Sequence, residues 1–278
     1  MILSREEVSL NDVQNKLIIS GWGKKVFDET VLCKIIYESG DKEIQGYLSY
    51  PKTKNVKYPL IIWNRGGSKA DGRIDDFLAK GMFGEIASWG YVVLASNYRE
   101  EDEFGGKDLN DVMNLIPLSD EIENCDSENI GMEGWSRGGM MTYLALCRTD
   151  RIKCAVIISG LADLFRSEND RNGLAKIYKR LFGCKDEDEF ENRKKTRSAV
   201  YFADRINKDT KILLLHGTDD KEISYLDSVE MFEKLKDNGI GCRLELFEGG
   251  DHYLKQFRKE TSDLRKKWFN KFLKNEIK

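Results

Sequence analysis

The sequence predicts an α/β fold, in which a mainly parallel central sheet carries helices on both faces. The first observation is a series of short apolar runs without polar alternation, which are typical of strands buried on both faces of a parallel sheet. The second is that segments with helical periodicity lie between these runs, as the crossovers of a parallel sheet require. The predicted parallel strands are 58–67, 91–98, 130–136, 154–160, 211–217 and 242–250.

The predicted elements before residue 58 differ in kind from those after it. Residues 31–50 alternate around a central SGD and predict an antiparallel hairpin at one edge of the sheet. Helical segments lie between the later strands, and Gly90 and Gly239 are placed to terminate two of them. The last helix carries an apolar stripe, which we expect to pack on the sheet rather than on a partner. The predicted helices are 74–88, 107–117, 138–149, 224–238 and 255–275.

One segment departs from this alternation of strands and helices. Residues 162–209 are charged and helix-prone, without a strand-like run, and they lie between two predicted strands. Ligands bind at the carboxyl ends of strands in such folds, so this insertion is either a lid over that edge or a solvated helical excursion. Because no repeat or linker divides the chain, we expect residues 1–278 to form a single domain with this helical cap.

The composition argues against several classes of protein. A net charge of −3 offers no basic excess for binding nucleic acid. The longest apolar runs are too short to span a bilayer, and the N-terminus lacks the features of a signal peptide. Six scattered cysteines form no CxxC pair, so we expect a cytoplasmic protein without a metal or an organic cofactor. The oligomeric state is left open.

Residues 130–146, IGMEGWSRGGMMTYLAL, contain the strongest candidate for chemistry. Ser136 follows a buried strand and precedes a helix, and Gly134 and Gly138 flank it in a G-x-S-x-G pattern. Such glycines relieve crowding at the tight turn that exposes a nucleophilic serine. The turn also directs the backbone amide of Arg137, at the start of the helix, toward the site. The alternative is a glycine-rich turn in which Ser136 only caps the helix.

A nucleophilic serine needs a base and an acid that orients this base, and the chain has only two histidines. His252 lies in a loop after the last predicted strand and can serve as the base, unless it is a lone surface histidine. Asp219 and Asp220 follow the strand 211–217, and either carboxylate can orient the imidazole. We expect His216, at the end of that strand, to be a partly buried structural residue. The order serine, aspartate, histidine is that of α/β hydrolases.

The stretch WNRGGSKAD ends the first predicted parallel strand, where a second donor for an oxyanion is expected. The backbone amide of Gly66 or of Arg65 can supply this donor, although a plain glycine turn explains the same residues. Arg65, Lys69 and Arg99 lie near predicted strand ends and can bind an acidic group of a substrate. A solvated surface is the simpler interpretation of these three cations.

Several of these motifs resemble one family. GWSRGG is similar to the nucleophile motif of the prolyl oligopeptidase family of serine hydrolases, within the α/β-hydrolase superfamily. HGTDD, GDHYL and SNYREEDEFGG resemble further stretches of that family. The resemblance covers roughly residues 30–275. It implies an α/β-hydrolase fold in which Ser136, Asp220 and His252 are the catalytic residues.

Three departures from the family pattern bear on specificity and on oxyanion binding. The chain has no room for the N-terminal β-propeller of the large members, so the resemblance implies a free-standing catalytic domain. NRGG offers no tyrosine hydroxyl, so oxyanion binding falls to backbone amides or to the side-chain amide of Asn64. Arg137 replaces a residue that is often tyrosine, and the resemblance requires only its backbone amide.

These observations predict a serine hydrolase that cleaves an ester or amide bond through an acyl-Ser136 intermediate. A peptidase-like activity on short peptides is slightly favoured over a carboxylesterase that acts on small acyl esters, and acyl transfer is a third option. A different class is also open, because the fold does not guarantee activity. In that case the chain is a non-catalytic module that binds a small ligand or a partner.

Overall fold

The computed structural model describes residues 1–274, which form a nine-stranded sheet. The strands lie in the order β1-β2-β3-β5-β4-β6-β7-β8-β9 across it. In chain order they are Ile2–Glu7, Thr30–Ser39, Lys42–Pro51, Tyr58–Asn64, Val92–Ser96, Cys125–Trp135, Ile152–Ile158, Lys211–Gly217 and Cys242–Phe247.

The sheet is antiparallel at one edge and parallel through the rest. Strands β1, β2 and β3 pair antiparallel with one another, and β3 pairs antiparallel with β5. All further pairings, from β5–β4 to β8–β9, are parallel. The predicted hairpin at 31–50 is therefore confirmed as β2 and β3, which turn at Gly40. Fold class and sheet polarity agree with the α/β-hydrolase prediction.

A helix occurs at every predicted position, but one of the predicted helices is divided into two. The predicted helix 107–117 is two helices, because Pro117 has no N–H to bond the carbonyl of Met113 four residues earlier. The predicted end of the last helix at residue 275 lies outside the described residues.

Across residues 1–274, no helix is both long enough and apolar enough to cross a bilayer. Helices α1 to α11 are Asp12–Trp22, Lys24–Glu29, Asp76–Ser88, Asp108–Met113, Leu115–Leu118, Arg137–Leu146, Leu164–Asp170, Leu174–Phe182, Glu187–Arg197, Tyr225–Asp237 and Arg258–Leu273.

The first 29 residues contain three elements that were not predicted from the sequence. β1 is an exposed edge strand, so it lacks the buried alternation that identifies a strand. In α1 only Ile18 is buried, and the helix is defined at its start by a capping box between Asn11 and Gln14. Both elements follow local hydrogen bonding and edge pairing more than burial.

The sheet has a hydrophobic cluster on each face. On one face Phe83 of α3 and Phe269 of α11 are fully buried against the strands. On the other face α6 and α10 contribute buried Met140 and Leu235. The expected packing of the last helix on the sheet is thus confirmed, and the carboxyl ends of the parallel strands meet at one edge between the two layers.

The insertion at 162–209 contains α7, α8 and α9 and lies between β7 and β8. Its side chains Tyr178, Phe182 and Phe190 are buried and belong to the same cluster as the strand residues of that face. A solvated excursion therefore does not describe this face of the insertion. A role as a lid stays a prediction.

Candidate active site

Ser136 lies in a sharp turn between β6 and α6. Its φ of 58° and ψ of −124° are rarely adopted by residues other than glycine, and such backbone strain costs about 1–3 kcal/mol. Its backbone N–H donates to Ile158 at 3.0 Å, and its carbonyl accepts from Gly139 and Leu161. Within the described residues its hydroxyl makes no capping hydrogen bond to α6, which argues against a merely capping serine.

The glycines around Ser136 are required by close packing. A Cβ atom at Gly134 would lie 2.2 Å from the carbonyl oxygen of Gly138. A Cβ atom at Gly138 would lie 2.0 Å from the carbonyl oxygen of Asn64, at the end of β4. Both distances are far below any real contact of a Cβ atom. The steric reason given for the G-x-S-x-G pattern is therefore confirmed.

His252 is held by two neighbours next to the turn at Ser136, which is called the nucleophile turn after its predicted role. Its Nδ1 donates to Oδ2 of Asp220 at 2.7 Å. Its ring stacks on the indole of Trp135, with 5.6 Å between ring centroids and 28° between planes. The indole N–H of Trp135 also donates to the backbone carbonyl of His252 at 3.1 Å. The imidazole thus packs on the residue that precedes Ser136, and its Nε2 faces away from Asp220.

Asp220 is a buried carboxylate that accepts four hydrogen bonds. Oδ2 accepts from the two histidines, and Oδ1 accepts from the backbone N–H groups of Glu222 and Ile223. Burial by itself would raise the pKa of Asp220, but the hydrogen bonds from His216 and His252 outweigh it and hold this pKa well below its usual range. Asp220 is therefore ionised and fixed in orientation.

The two candidate carboxylates differ in their surroundings. Asp219 is exposed and pairs with Lys221 at 3.2 Å, whereas the side chain of Asp220 is inaccessible to solvent. Asp220 is the carboxylate that contacts His252, as the resemblance to the prolyl oligopeptidase family implied. The structure therefore brings together Asp220 and His252, and not Asp219 and His252.

His216 is fully buried rather than partly buried. Its Nε2 donates to Oδ2 of Asp220 and to the carbonyl of Ile223, each at 3.1 Å, and its Nδ1 faces the hydroxyl of Ser228 at 2.7 Å. The structural role of His216 was predicted, but its bond to Asp220 was not. The available signal was the spacing of four residues between His216 and Asp220 in HGTDD. A tight turn after the end of a strand can bring the aspartate back to the imidazole.

Gly66 lies against Ser136. A Cβ atom at this glycine would lie 3.2 Å from Cβ of Ser136 and 3.7 Å from its Oγ. Arg137 is the first residue of α6, where backbone N–H groups have no partner within the helix. The backbones of Gly66 and Arg137 therefore flank the Ser136 side chain, as an oxyanion site would require.

The side chains of Asn64 and Arg65 have partners elsewhere, whereas the backbone N–H of Arg65, which was the donor expected from this residue, stays a prediction. The Asn64 side chain is fully buried, and its amide nitrogen donates to the hydroxyl of Thr142 in α6 at 2.8 Å. The Arg65 guanidinium is buried and donates to the backbone carbonyls of Asn97 and Asp71. These side chains shape the loop and do not face the nucleophile turn as donors.

The expectations for the three cations near strand ends need correction. Arg65 and Arg99 are buried, so neither a solvated surface nor contact with an acidic substrate describes them. Arg99 pairs with the buried Asp111 at 2.7 Å. Lys69 is exposed, in agreement with a solvated surface. The two interpretations of Arg65 and Arg99 were wrong because the sequence does not show which buried carbonyl or carboxylate oxygens lie near an arginine in the fold.

Sequence reasoning assigned no role to the side chain of Arg137. This guanidinium is buried and pairs with the buried carboxylates of Asp102 and Asp108. It also donates to the carbonyl of Gly67 at 2.8 Å. The acidic residues of REEDEFGGKD were the only signal, and nothing in the sequence related them to a residue so far along the chain.

A serine placed in this way after a parallel strand is the arrangement of the α/β-hydrolase class. The family model described as the prolyl oligopeptidase family matches residues 84–276, more than half of the chain. The chain belongs to the prolyl oligopeptidase family.

Relatives of known sequence carry peptidase names. The chain is 29% identical over 216 residues to the uncharacterized peptidase YtmA of Bacillus subtilis, covering 74% of this chain and 79% of YtmA. It is 28% identical over 229 residues to the uncharacterized peptidase YuxL of the same organism, covering 76% of this chain but only 34% of YuxL. Family and relatives together support a hydrolase of the serine-peptidase type.

Solved structures share the fold. The acylaminoacyl peptidase of Pyrococcus horikoshii superimposes with a TM-score of 0.78 at 22% identity, covering 95% of this chain and 44% of that one. A puromycin-hydrolyzing peptidase of Mycobacterium tuberculosis gives a TM-score of 0.74 at 20% identity, covering 86% of this chain and 39% of that one. The chain thus spans less than half of these larger proteins.

Proposed function

We propose that this chain is a serine hydrolase that cleaves an amide or ester bond through an acyl-Ser136 intermediate. The observation that carries the proposal is the 2.7 Å hydrogen bond between Nδ1 of His252 and the ionised Asp220, with the imidazole stacked on Trp135 beside the nucleophile turn. A lone surface histidine would have neither a buried carboxylate partner nor this orientation.

Each residue has one role in the proposed reaction. Ser136 Oγ attacks the substrate carbonyl while Nε2 of His252 takes the hydroxyl proton. Asp220 keeps the proton on Nδ1 and stabilises the imidazolium that forms. The N–H groups of Arg137 and Gly66 bind the oxyanion of the tetrahedral intermediate. His252 then protonates the leaving group, and water activated by the same imidazole hydrolyses the acyl enzyme.

Short peptides and aminoacyl amides are the proposed substrates, with residues 162–209 as a cap over the carboxyl edge of the sheet. The peptidase names of YtmA and of the acylaminoacyl peptidase support amides over small acyl esters. A carboxylesterase uses the same residues and remains the second candidate. The six cysteines, all within the described residues, are free thiols, which supports a reducing, cytoplasmic location.

A fluorophosphonate probe and p-nitrophenyl acetate test the activity. Wild type should be labelled and should hydrolyse the ester, and both signals should be lost in Ser136→Ala and in His252→Ala. Ser159→Ala is the matched control, because Ser159 also follows a parallel strand but has a buried hydroxyl without a partner among residues 1–274. Wild type without labelling or hydrolysis would support the non-catalytic module instead. A panel of aminoacyl naphthylamides against acyl esters then separates peptidase from esterase.

A further inference from the structure

The two proposed oxyanion donors lie on different elements. One is the N–H of Arg137 at the start of α6, and the other is the N–H of Gly66 in residues 65–72, here called the oxyanion loop. Both must lie within about 2.7–3.1 Å of the same oxygen for the site to stabilise a tetrahedral intermediate. The oxyanion loop follows the end of β4, so strand pairing does not determine its distance from α6.

We propose that the side chain of Arg137, together with Asp102, positions the oxyanion loop against the nucleophile turn. Arg137 and Asp102 are positioning residues in this assignment, because their side chains act through the backbone of Gly66 and not on the substrate. The inference rests on the proposed function, since it concerns the oxyanion site of that reaction.

The first contact is direct. Nη1 of Arg137 donates to the carbonyl of Gly67 at 2.8 Å. Gly67 has a φ of 68°, and a Cβ atom there would lie 2.3 Å from the carbonyl oxygen of Asp71. Only glycine allows this tight turn, and the guanidinium fixes the direction of its carbonyl. The residue that follows Gly66 is therefore tied to the residue that follows Ser136.

The second contact runs through Asp102. Its Oδ2 accepts from Nη1 of Arg137 and from the backbone N–H of Lys69, each at 2.6 Å. Its Oδ1 accepts from Nη2 of Arg137 at 2.7 Å and from the N–H of Phe104 at 2.8 Å. One buried carboxylate thus joins the guanidinium to a second point of the oxyanion loop.

The guanidinium itself has little freedom. Nη2 also pairs with Asp108, and the guanidinium carbon lies 5.2 Å from the ring centroid of Tyr98 and 4.6 Å from that of Phe104. A planar fork between two carboxylates and two aromatic rings is fixed in both position and plane. Arg137 therefore contributes a backbone donor and, through its side chain, a rigid reference for the other donor.

Asp102→Asn tests the assignment with little change of shape. The asparagine oxygen can accept from only some of the four N–H groups that surround Asp102. Its NH₂ group would face the others, and two donors cannot bond each other. The oxyanion loop should then relax away from Ser136. We expect kcat for p-nitrophenyl acetate to fall about tenfold to a hundredfold, because small displacements of catalytic groups have effects of this size. KM should change less than about threefold, because ground-state binding does not use the oxyanion site.

Asp111→Asn is the matched control. Asp111 is equally buried and pairs with Arg99 through the same kind of bidentate contact, and its side chain also accepts from Ser39. Both variants should lower the melting temperature, since each leaves a buried arginine with a neutral partner. Only Asp102→Asn should lower kcat, and Asp111→Asn should keep kcat within about twofold.

Inhibition by phenylboronic acid separates positioning from general loosening. Its tetrahedral adduct with Ser136 places an oxygen where the oxyanion forms. Its inhibition constant should rise about tenfold in Asp102→Asn and stay unchanged in Asp111→Asn. If Asp102→Asn does not fold, Arg137→Lys is measured in the same way, because one ammonium with three N–H donors cannot replace all four contacts of the guanidinium fork with Gly67, Asp102 and Asp108.

Two results would overturn the inference while leaving the proposed function intact. One is an unchanged kcat and boronate affinity in the folded variant, and the other is an equal loss of kcat in both aspartate variants. In either case an active wild type that loses activity in Ser136→Ala shows that the hydrolase assignment stands. A wild type without hydrolysis or fluorophosphonate labelling instead refutes the proposed function, and the inference with it.

Discussion

At the scale of single residues, the site depends on how completely Asp220 is hydrogen-bonded. Two backbone N–H groups and two imidazoles direct its oxygens, so the carboxylate can present only one orientation to His252. His216 is part of this arrangement, because it approaches the same oxygen as His252 from the buried side. Within residues 1–274 the neighbouring Asp219 has no comparable set of donors, and it pairs with exposed Lys221.

Replacing each aspartate by asparagine should separate their roles. Asp220→Asn should lower kcat about 10³- to 10⁴-fold, because asparagine no longer keeps the proton on Nδ1 of His252. Asp219→Asn should leave kcat within about twofold. Steady-state hydrolysis of p-nitrophenyl acetate measures both. A large loss in Asp219→Asn with little loss in Asp220→Asn would assign the orienting acid to the other carboxylate.

The low pKa of Asp220 also predicts how stability depends on pH. Burial raises this pKa, but the hydrogen bonds from His216 and His252 lower it by more. The pKa of Asp220 in the folded protein therefore lies below its pKa of about 4 in the unfolded chain. Such a group stabilises the fold above the unfolded pKa, and this stability is lost as the pH falls through the folded pKa.

Urea unfolding of wild type and Asp220→Asn between about pH 7 and about pH 3 measures this contribution. Wild type should be the more stable protein at neutral pH, and the difference in free energy of unfolding should narrow at the acidic end. Asp219→Asn is the control, since its exposed ion pair contributes little. A difference that stays constant over this range would show that Asp220 is not stabilised by its ionised state.

At the scale of elements, the nucleophile turn depends on how closely β6, α6 and β4 approach. Gly138, in the first turn of α6, faces the last carbonyl of β4, and Gly139 lies against Gly160 after β7. Three neighbouring strand ends thus meet at the start of one helix. This contact brings residues 65–72 close to Ser136.

Adding one methyl group to this contact should disrupt it. In Gly138→Ala the new Cβ would lie 2.0 Å from the carbonyl oxygen of Asn64, a backbone atom that cannot move without shifting β4. We expect a destabilisation of at least about 3 kcal/mol and loss of hydrolysis. Gly21→Ala is the matched control in helix α1, where the added carbon has no atom of the described chain within 4 Å apart from its chain neighbours and the backbone of its own helix.

Gly21→Ala should stabilise the protein slightly, by up to about 1 kcal/mol, because alanine has the higher helix propensity. Thermal unfolding monitored by circular dichroism compares the two variants. If Gly138→Ala melted at the temperature of wild type and kept its activity, close packing would not be the reason for this glycine.

A feature could be predicted from the sequence when the residues that determine it are close together along the chain. The turn at Ser136 was predictable because its glycines are neighbours in the chain, and the parallel strands because burial on both faces leaves continuous apolar runs. Strand β1 and helix α1 were missed because their residues are largely exposed. The pairing of Arg137 with Asp102 was missed because it joins the start of helix α6 to a loop that approaches it only in the folded protein.

At the scale of the whole molecule, the insertion at 162–209 is fixed to the rest of the protein by its packing. Phe182 is 2% exposed and contacts the rings of Tyr178 and Phe190. Arg197, at the end of α9, donates to the carbonyl of Phe104 at 2.9 Å. The proposed cap therefore rests on the same loop that contains Asp102.

Truncating a buried aromatic side chain of the cap should destabilise the whole protein. Phe182→Ala should lower the free energy of unfolding by about 3–5 kcal/mol, because the cap shares a hydrophobic cluster with the sheet. Ile177→Ala on the same helix is the control, since this side chain is 39% exposed and its loss should cost little. Urea unfolding followed by tryptophan fluorescence measures both. Equal, small effects would indicate a cap that unfolds separately from the sheet.

The double use of Arg137 has a consequence for protein engineering. A library that randomises position 137 alone should return mainly arginine, because any uncharged replacement leaves Asp102 and Asp108 as buried carboxylates without the cation that neutralises them. Diversity at this position requires that all three residues change together. Tyr253, which is exposed and contacts both Trp135 and His252 by ring edges, offers a more tolerant position for altering substrate preference.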